Sequence, residues 1–254
     1  MKIGRIVVAF LLMLSVYAQA DEKADVLNVC THLGFQPFVI HDGNELSGID
    51  VDTVKYLLHE IDQPYKLSLL PWARLIYALK NGSCDVGFSL FDREDRREYV
   101  KYVFAVPIHT STFRVFVLKD SELLFEKVSD LFGLRVSYNR GFSLIHELNM
   151  GIESHSIARV EFDNPKSALN MLFAGRVDVI LENELRIQYY LRRMGLEEGV
   201  KSLDVPFMPH EPAFLVLSKK STKDINDLYR RFSALLPIMQ KEGVVDKIVK
   251  KYLP

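Results

Sequence analysis

Apolar and polar positions along the chain alternate between two periods. Short strand-like runs, VLNVC, YKLSLL and CDVGFSL, are separated by stretches with a helical spacing of apolar residues. Val51, Val54, Leu57, Leu58 and Ile61 form one apolar face, and Asp50 is placed to cap that helix. Pro71 stops the second run, and WARLIYALKN then reads as a helix closed by Gly82. Strand, helix, strand, helix, strand predicts a parallel sheet covered by helices.

The same order restarts after the extended run TFRVFVLKD. It continues through GLRVSYN, SLIHELNM, SIARVEF, the helix NPKSALNMLFAGR with Pro165 near its start, VDVILEN, and a helix ended by Gly195. PAFLVLSKK matches TFRVFVLKD in pattern, and the tail is helical with interruptions expected at Pro237 and Gly243. The expected fold class is therefore α/β. Lobe one spans about 21–115 and lobe two about 120–205, with residues 210–254 returning to lobe one as C-terminal helices. The matched runs near 113–119 and 213–219 are expected to be the crossovers, an arrangement that permits hinge closure on a ligand. A single doubly wound domain is the alternative reading. In parallel sheets, sites lie beyond the carboxyl ends of strands. That rule points to the residues after Cys30, around Pro71, after Phe88, at YNRGFS and at LENE.

The first twenty residues alter this picture. Lys2 and Arg5, an apolar run from Ile6 to Leu14, and Ala18-Gln19-Ala20 have the form of a secretory signal peptide cut before Asp21. A membrane anchor is the competing reading of this segment. Removing residues 1–20 leaves 30 Lys and Arg against 33 Asp and Glu, a formal net charge of −3. That balance does not call for nucleic acid or an anionic membrane as partner. Cys30 and Cys84 invite a disulfide in an exported chain. On adjacent parallel strands, however, they fall at opposite ends, beyond the roughly 7 Å between Cα atoms that a bridge allows, so free thiols are expected. Two thiols and scattered His give no metal-ligand spacing, and no cofactor is implied.

Between Asp92 and Glu98 every residue is charged, with Arg93, Arg96 and Arg97 among them. Such clusters ordinarily face water. Five segments in order give this cluster another reading: GFQPFVIHDGNELSGIDVDTVKYL, PWARLIYALKNGSCDV, DREDRREYVKYVFAVPI, GLRVSYNRGFS and ALNMLFAGRVDVILEN. Together they resemble the family 3 extracellular solute-binding proteins of bacterial ABC transporters, over essentially the whole chain after the signal segment. The P-W-x-R element is like one subgroup of that family. The resemblance implies a two-lobed periplasmic-binding fold of type II and a periplasmic location. It implies capture of a small carboxylate-bearing solute, an amino acid or related organic acid, for an inner-membrane ABC permease. The protein is expected to act as a monomer and not as an enzyme. A ligand sensor that docks on a receptor kinase is the alternative. A dehydratase-like enzyme is a further one, for which Glu182 and Glu184 are the tempting carboxylates.

The resemblance also assigns residues. Arg96, three residues before Tyr99-Val100, corresponds to the family's carboxylate clamp, a rigid fork suited to two parallel hydrogen bonds. The loop is about two residues longer than usual, so Arg93 is the alternative. Ser89 corresponds to a hydroxyl on the same carboxylate, or else it caps the strand end. Phe35, Phe38 and Trp72 are candidates for an aromatic wall, with Arg74 beside them. In lobe two, Arg140, Phe142 and Ser143 stand at a helix start whose backbone N–H groups suit an anion. The family's ammonium-binding Asp falls at Asn183, next to Glu182. This departure leaves a carboxylate-bearing solute without an ammonium group nearly as good a fit as an α-amino acid.

Overall fold

A computed structural model describes residues 26–253 apart from Asn44 and residues 141–143. The expected signal segment, residues 1–20, and the candidates Phe142 and Ser143 lie outside the described residues.

The first half of the chain forms strands β1 (Leu27–His32), β2 (Ile40–Asp42), β3 (Glu45–Ser47), β4 (Tyr65–Leu70), β5 (Val86–Phe91), β6 (Val100–Tyr102) and β7 (His109–Ser111), with helices α1 (Ile49–Glu60) and α2 (Trp72–Asn81). Next come strands β8 (Phe113–Leu118), β9 (Arg135–Asn139), β10 (Ala158–Phe162), β11 (Val179–Asn183) and β12 (Val200–Ser202), with helices α3 (His146–Glu153), α4 (Pro165–Phe173) and α5 (Glu184–Met194). The last segment holds β13 (Glu211–Ser218), α6 (Ile225–Lys241) and α7 (Val244–Tyr252).

Two main sheets follow, one in each lobe. Their orders are β4-β1-β5-β13-β6, with β7 also on β13, and β10-β9-β11-β8-β12. The three leading strands of each are parallel, as the strand–helix alternation predicts. Each sheet then accepts an antiparallel strand, β13 on β5 and β8 on β11, so both sheets are mixed. These two strands are the runs expected to be crossovers. Both are instead built into sheets, because their side chains are buried on both faces and complete the cores. The chain passes between lobes just before each of them. There Thr112 Oγ1 meets His210 Nδ1 at 3.0 Å, so the two passing segments touch.

Both faces of each sheet are covered. In lobe one Phe88, Leu57, Leu215 and Phe232 pack on one face, and Leu75, Leu79, Leu90 and Val216 on the other. Lobe two repeats this with Val115, Val136 and Leu181 against Phe116, Ile180 and Leu169. Helix α7 is tied to α1, since Tyr252 Oη and Lys251 Nζ donate to Asp52 at 2.6 and 2.7 Å.

Three local expectations are corrected. Asp50 is not the cap of α1. Gly48 is, at φ 122°, and a Cβ there would lie 2.5 Å from the Phe38 carbonyl oxygen, so only glycine lets the helix start approach that loop. Pro237 does not interrupt α6. It sits on the exposed side, where water can satisfy the carbonyl it leaves unpaired, and the buried Leu236 and Met239 hold the helix down.

The third correction concerns the cysteines, which are joined in a disulfide with Cα atoms 6.1 Å apart. Strand β5 begins at Val86, so Cys84 belongs to the preceding turn. Bonds from Cys84 N–H to the Ala78 carbonyl and from Asp85 N–H to the Asn28 carbonyl fold that turn under β1, beside Cys30. The strand-end argument assumed an extended chain at Cys84, which those bonds remove.

Candidate functional site

A cavity of about 460 Å³ opens between the lobes, at the carboxyl ends of β1, β4, β5, β9 and β11. Its lobe-one wall carries His32, Phe35, Trp72, Ser89, Arg93 and Arg96. Lobe two contributes Phe113, Asn139, Arg140, Glu182, Arg186 and Met208. The volume suits a small metabolite.

Arg96 ends a single 3-10 turn, Glu94–Arg96, that follows β5. Its Nη1 donates to the Phe91 carbonyl at 3.0 Å, and its guanidinium carbon lies 4.9 Å from the centre of the Trp72 ring. Stacking and one backbone bond thus orient the fork without using most of its donors. No carboxylate partner meets Arg96 among the described residues. Arg93 also reaches the cavity wall, from an exposed position. Arg97 does not: its Nε donates to Asp92 at 2.9 Å on the outer surface. Of three neighbouring arginines, one is bound to the outside and two face the cleft. Nearby, Tyr102 Oη donates to the Phe91 carbonyl at 2.9 Å. Burial raises the Tyr102 pKa, although the Arg93 N–H and the Arg96 charge pull the other way.

Ser89 sits in the cavity wall with φ 63°. The register between β5 and β13 shifts at this point, and the alternation of β5 reverses, with Phe88 and Leu90 on opposite faces. The bulge turns the Ser89 hydroxyl onto Asp50, to which it donates at 2.5 Å. Its proton is therefore committed, and only its oxygen remains to accept. Asp50 is fully buried. It also receives His109 Nδ1 at 2.8 Å, and the His109 ring stacks on Phe38 at 3.9 Å. His109 Nε2 lies 3.2 Å from Ser111 Oγ, which gives an Asp–His–Ser order. Ser111, however, is 1% exposed and outside the cavity lining, so the network braces the segment leading to the crossing and presents no nucleophile.

The aromatic candidates divide. Phe35 and Trp72 line the cavity, with the His32 ring between them at 5.3 and 5.4 Å. Phe38 is fully buried in the lobe-one core, and Arg74 is exposed and outside the lining. Burial, helped by the charge of Arg186, holds the His32 pKa below the usual imidazole value, against the opposing bond to the Leu33 carbonyl.

In lobe two, Arg140 lines the cavity but is held to Asp163 at 2.9 Å. Asn183 does not line it. The Asn183 side-chain Oδ1 accepts the Arg186 N–H as the cap of α5, an ordinary use of Asn at a helix start. Asp178 orients the entry to β11 by accepting the N–H and guanidinium of Arg135, which hold its pKa down. Glu184 pairs with Arg114 at 2.9 Å. Glu182 is the buried carboxylate of the site. It accepts Asn183 N–H at 2.7 Å and Arg186 Nη1 at 3.1 Å.

Arg186 was not singled out from the sequence. Its partner Glu182 stands four residues earlier but in strand β11, where the helical spacing rule does not apply, so no local signal marked the pair. Among the described residues, no group of three or more His, Cys, Asp or Glu is placed to hold a metal ion, and no helix is long and apolar enough to cross a membrane.

A two-lobed cleft of this kind defines a ligand-binding class, and comparison with known proteins gives the family. The model for bacterial extracellular solute-binding proteins, family 3, matches residues 27–254, and the chain belongs to that family. It is 25% identical over 235 residues to the L-cystine-binding protein TcyA of Bacillus subtilis (strain 168), covering 91% of this chain and 82% of the relative. It is 23% identical to the probable amino-acid-binding protein YxeM of the same organism, covering 92% and 86%. Among solved structures, an ancestral cationic amino acid solute-binding protein superposes with a TM-score of 0.74 at 24% identity. That match covers 91% of this chain and 97% of the other, and it shares the fold.

Proposed function

We propose that this protein captures a small carboxylate-bearing solute, an amino acid or related organic acid, in the interlobe cavity and delivers it to an ABC-type importer. In this reading it is exported to the periplasm, acts as a monomer and binds without turnover. The observation that carries the proposal is Arg96, a guanidinium in the cavity wall, stacked on Trp72, with no carboxylate partner among the described residues. A charged fork held in a partly desolvated wall favours an anion that can accept two parallel bonds. Membership of a solute-binding family supports the same reading.

The test is a thermal-shift screen over amino acids and organic acids, since a ligand that binds only the native form raises the melting midpoint. Carboxylates should raise it for the parent protein and not for Arg96→Ala. A ligand that shifts both proteins equally would overturn the assignment of Arg96.

A further inference from the structure

The cavity holds two anchors, one in each lobe, and its charge does not suit the amino acids of a cationic-solute receptor. Arg93, Arg96, Arg140 and Arg186 line it with Glu182 and Glu211, and Asp163 just outside holds Arg140, which leaves a formal excess of one positive charge. Glu182 is already engaged by Arg186 and by Asn183 N–H. An added ammonium or guanidinium would therefore enter a site with the wrong sign of field.

Arg186 is 7% exposed and lines the cavity. Its Nη1 reaches Glu182 and its Nη2 reaches the Gly34 carbonyl in the opposite lobe at 3.2 Å. Its Nε is buried without any partner. An unpaired donor on a charged, buried group is costly, and a carboxylate against the cavity side of the guanidinium offsets that charge. Arg186 also lies 5.4 Å over the Phe35 ring. The cavity wall thus has a defined order. Arg96 covers Trp72, Trp72 meets His32 edge-on, His32 tilts against Phe35, and Phe35 lies under Arg186. A row of rings ends in a guanidinium on either side.

We infer that the cleft selects an elongated dicarboxylate with an apolar middle, one carboxylate on Arg96 and the other on Arg186. The inference rests on the proposed capture of a carboxylate by Arg96 and adds the second anchor. Apolar methylenes would lie along Phe35, His32 and Trp72, where their burial favours binding. Glu182 repels the second carboxylate, and the excess of guanidiniums offsets it.

Titration calorimetry of adipate against hexanoate isolates the second carboxylate on one carbon skeleton. The parent should bind adipate at least about tenfold more tightly, a difference of about 1.4 kcal/mol. Arg186→Gln should bring the two acids to within about threefold. Because that change strands Glu182, the double variant Glu182→Gln/Arg186→Gln is measured alongside it. The double variant removes the pair without a buried charge and should also lose the preference. Arg96→Gln should weaken both acids. L-cystine, a diacid that also carries two ammonium groups, should bind less tightly than adipate.

Equal binding of adipate and hexanoate by the parent, or a preference that survives both Arg186 variants, would overturn the inference. So would failure of both acids to bind. If, in any of those cases, another carboxylate still binds and needs Arg96, the proposed function stands alone. If Arg96→Gln leaves every ligand unaffected, the proposed function falls as well.

Discussion

The two walls of the cleft are charged in different ways. In lobe one, Arg96 and Arg93 face the cavity without carboxylate partners among the described residues, and ring stacking holds Arg96 in place. In lobe two every guanidinium on the cavity is paired, Arg186 with Glu182 and Arg140 with Asp163. Lobe one therefore offers an anion site that needs no rearrangement, whereas an anion reaching lobe two must share or displace an existing partner. The backbones differ in the same sense. The Cys30–Cys84 link braces the β1–β5 region of lobe one, and the described part of lobe two contains no cysteine.

If that contrast governs binding, mutations on the two walls should differ most strongly. Arg96→Ala removes one side of a partly desolvated charge pair and should cost about 2–5 kcal/mol of binding. That is roughly thirty-fold to several thousand-fold in affinity. Arg140→Ala disrupts an exposed pair and should cost under about 1 kcal/mol. Arg97→Ala, on the outer surface, should be silent. Calorimetry of the three variants against one carboxylate ranks them, and equal losses at Arg96 and Arg140 would erase the distinction between the walls.

The same contrast shows what a sequence can display. Strands and helices were legible because their cores impose period 2 and period 3.6 on the chain, and the two-lobed order came from repetition of that pattern. Arg96 and Trp72 were legible because each follows a strand end at a motif position. Pairings across space were hidden. Nothing near Cys84 reveals that its turn folds under β1, since Asn28, whose carbonyl holds Asp85 there, is distant in the chain. The Ser89 bulge depends on the register of β5 against β13, more than a hundred residues away. The motif position of Asn183 suggested a ligand contact, but its side chain caps α5, and the cavity-facing carboxylate is the residue before it. His109 carries no motif of its own, and its partner Asp50 lies on another element.

The disulfide gives the next largest expected effect and tests whether the bracing belongs to lobe one. It closes a sequence separation of 54 residues. Replacing both cysteines by alanine should cost about 2–4 kcal/mol of stability. For a chain of this size that lowers the melting midpoint by roughly 5–15 °C. Native-state hydrogen exchange should place the loss in β1, β4 and β5, with β9 and β11 nearly unchanged. Equal loosening in both lobes would show that they melt as one unit and that the link braces the whole molecule.

The smallest effect is the response to mild acid, where the two lobes titrate in different windows. His32 in lobe one has its pKa lowered from 6.5, chiefly by burial. The unfolded chain therefore takes up a proton at a higher pH than the folded one does. Stability contributed by the neutral ring is fully present above about pH 6.5 and is lost as pH falls through the folded value. In lobe two, the bond from Arg135 lowers the Asp178 pKa from 3.8. By the same sign its contribution is intact above about pH 4 and fades only below that. This pair is partly exposed, so solvent screening keeps its share small. Melting midpoints of the parent and of His32→Gln, compared from pH 7 to pH 5, should converge as the parent loses its His32 contribution. Asp178→Asn should run parallel to the parent over that range and approach it only in stronger acid. A constant gap between parent and His32→Gln across the milder range would mean that the cavity hydrates the ring enough to leave its proton affinity ordinary.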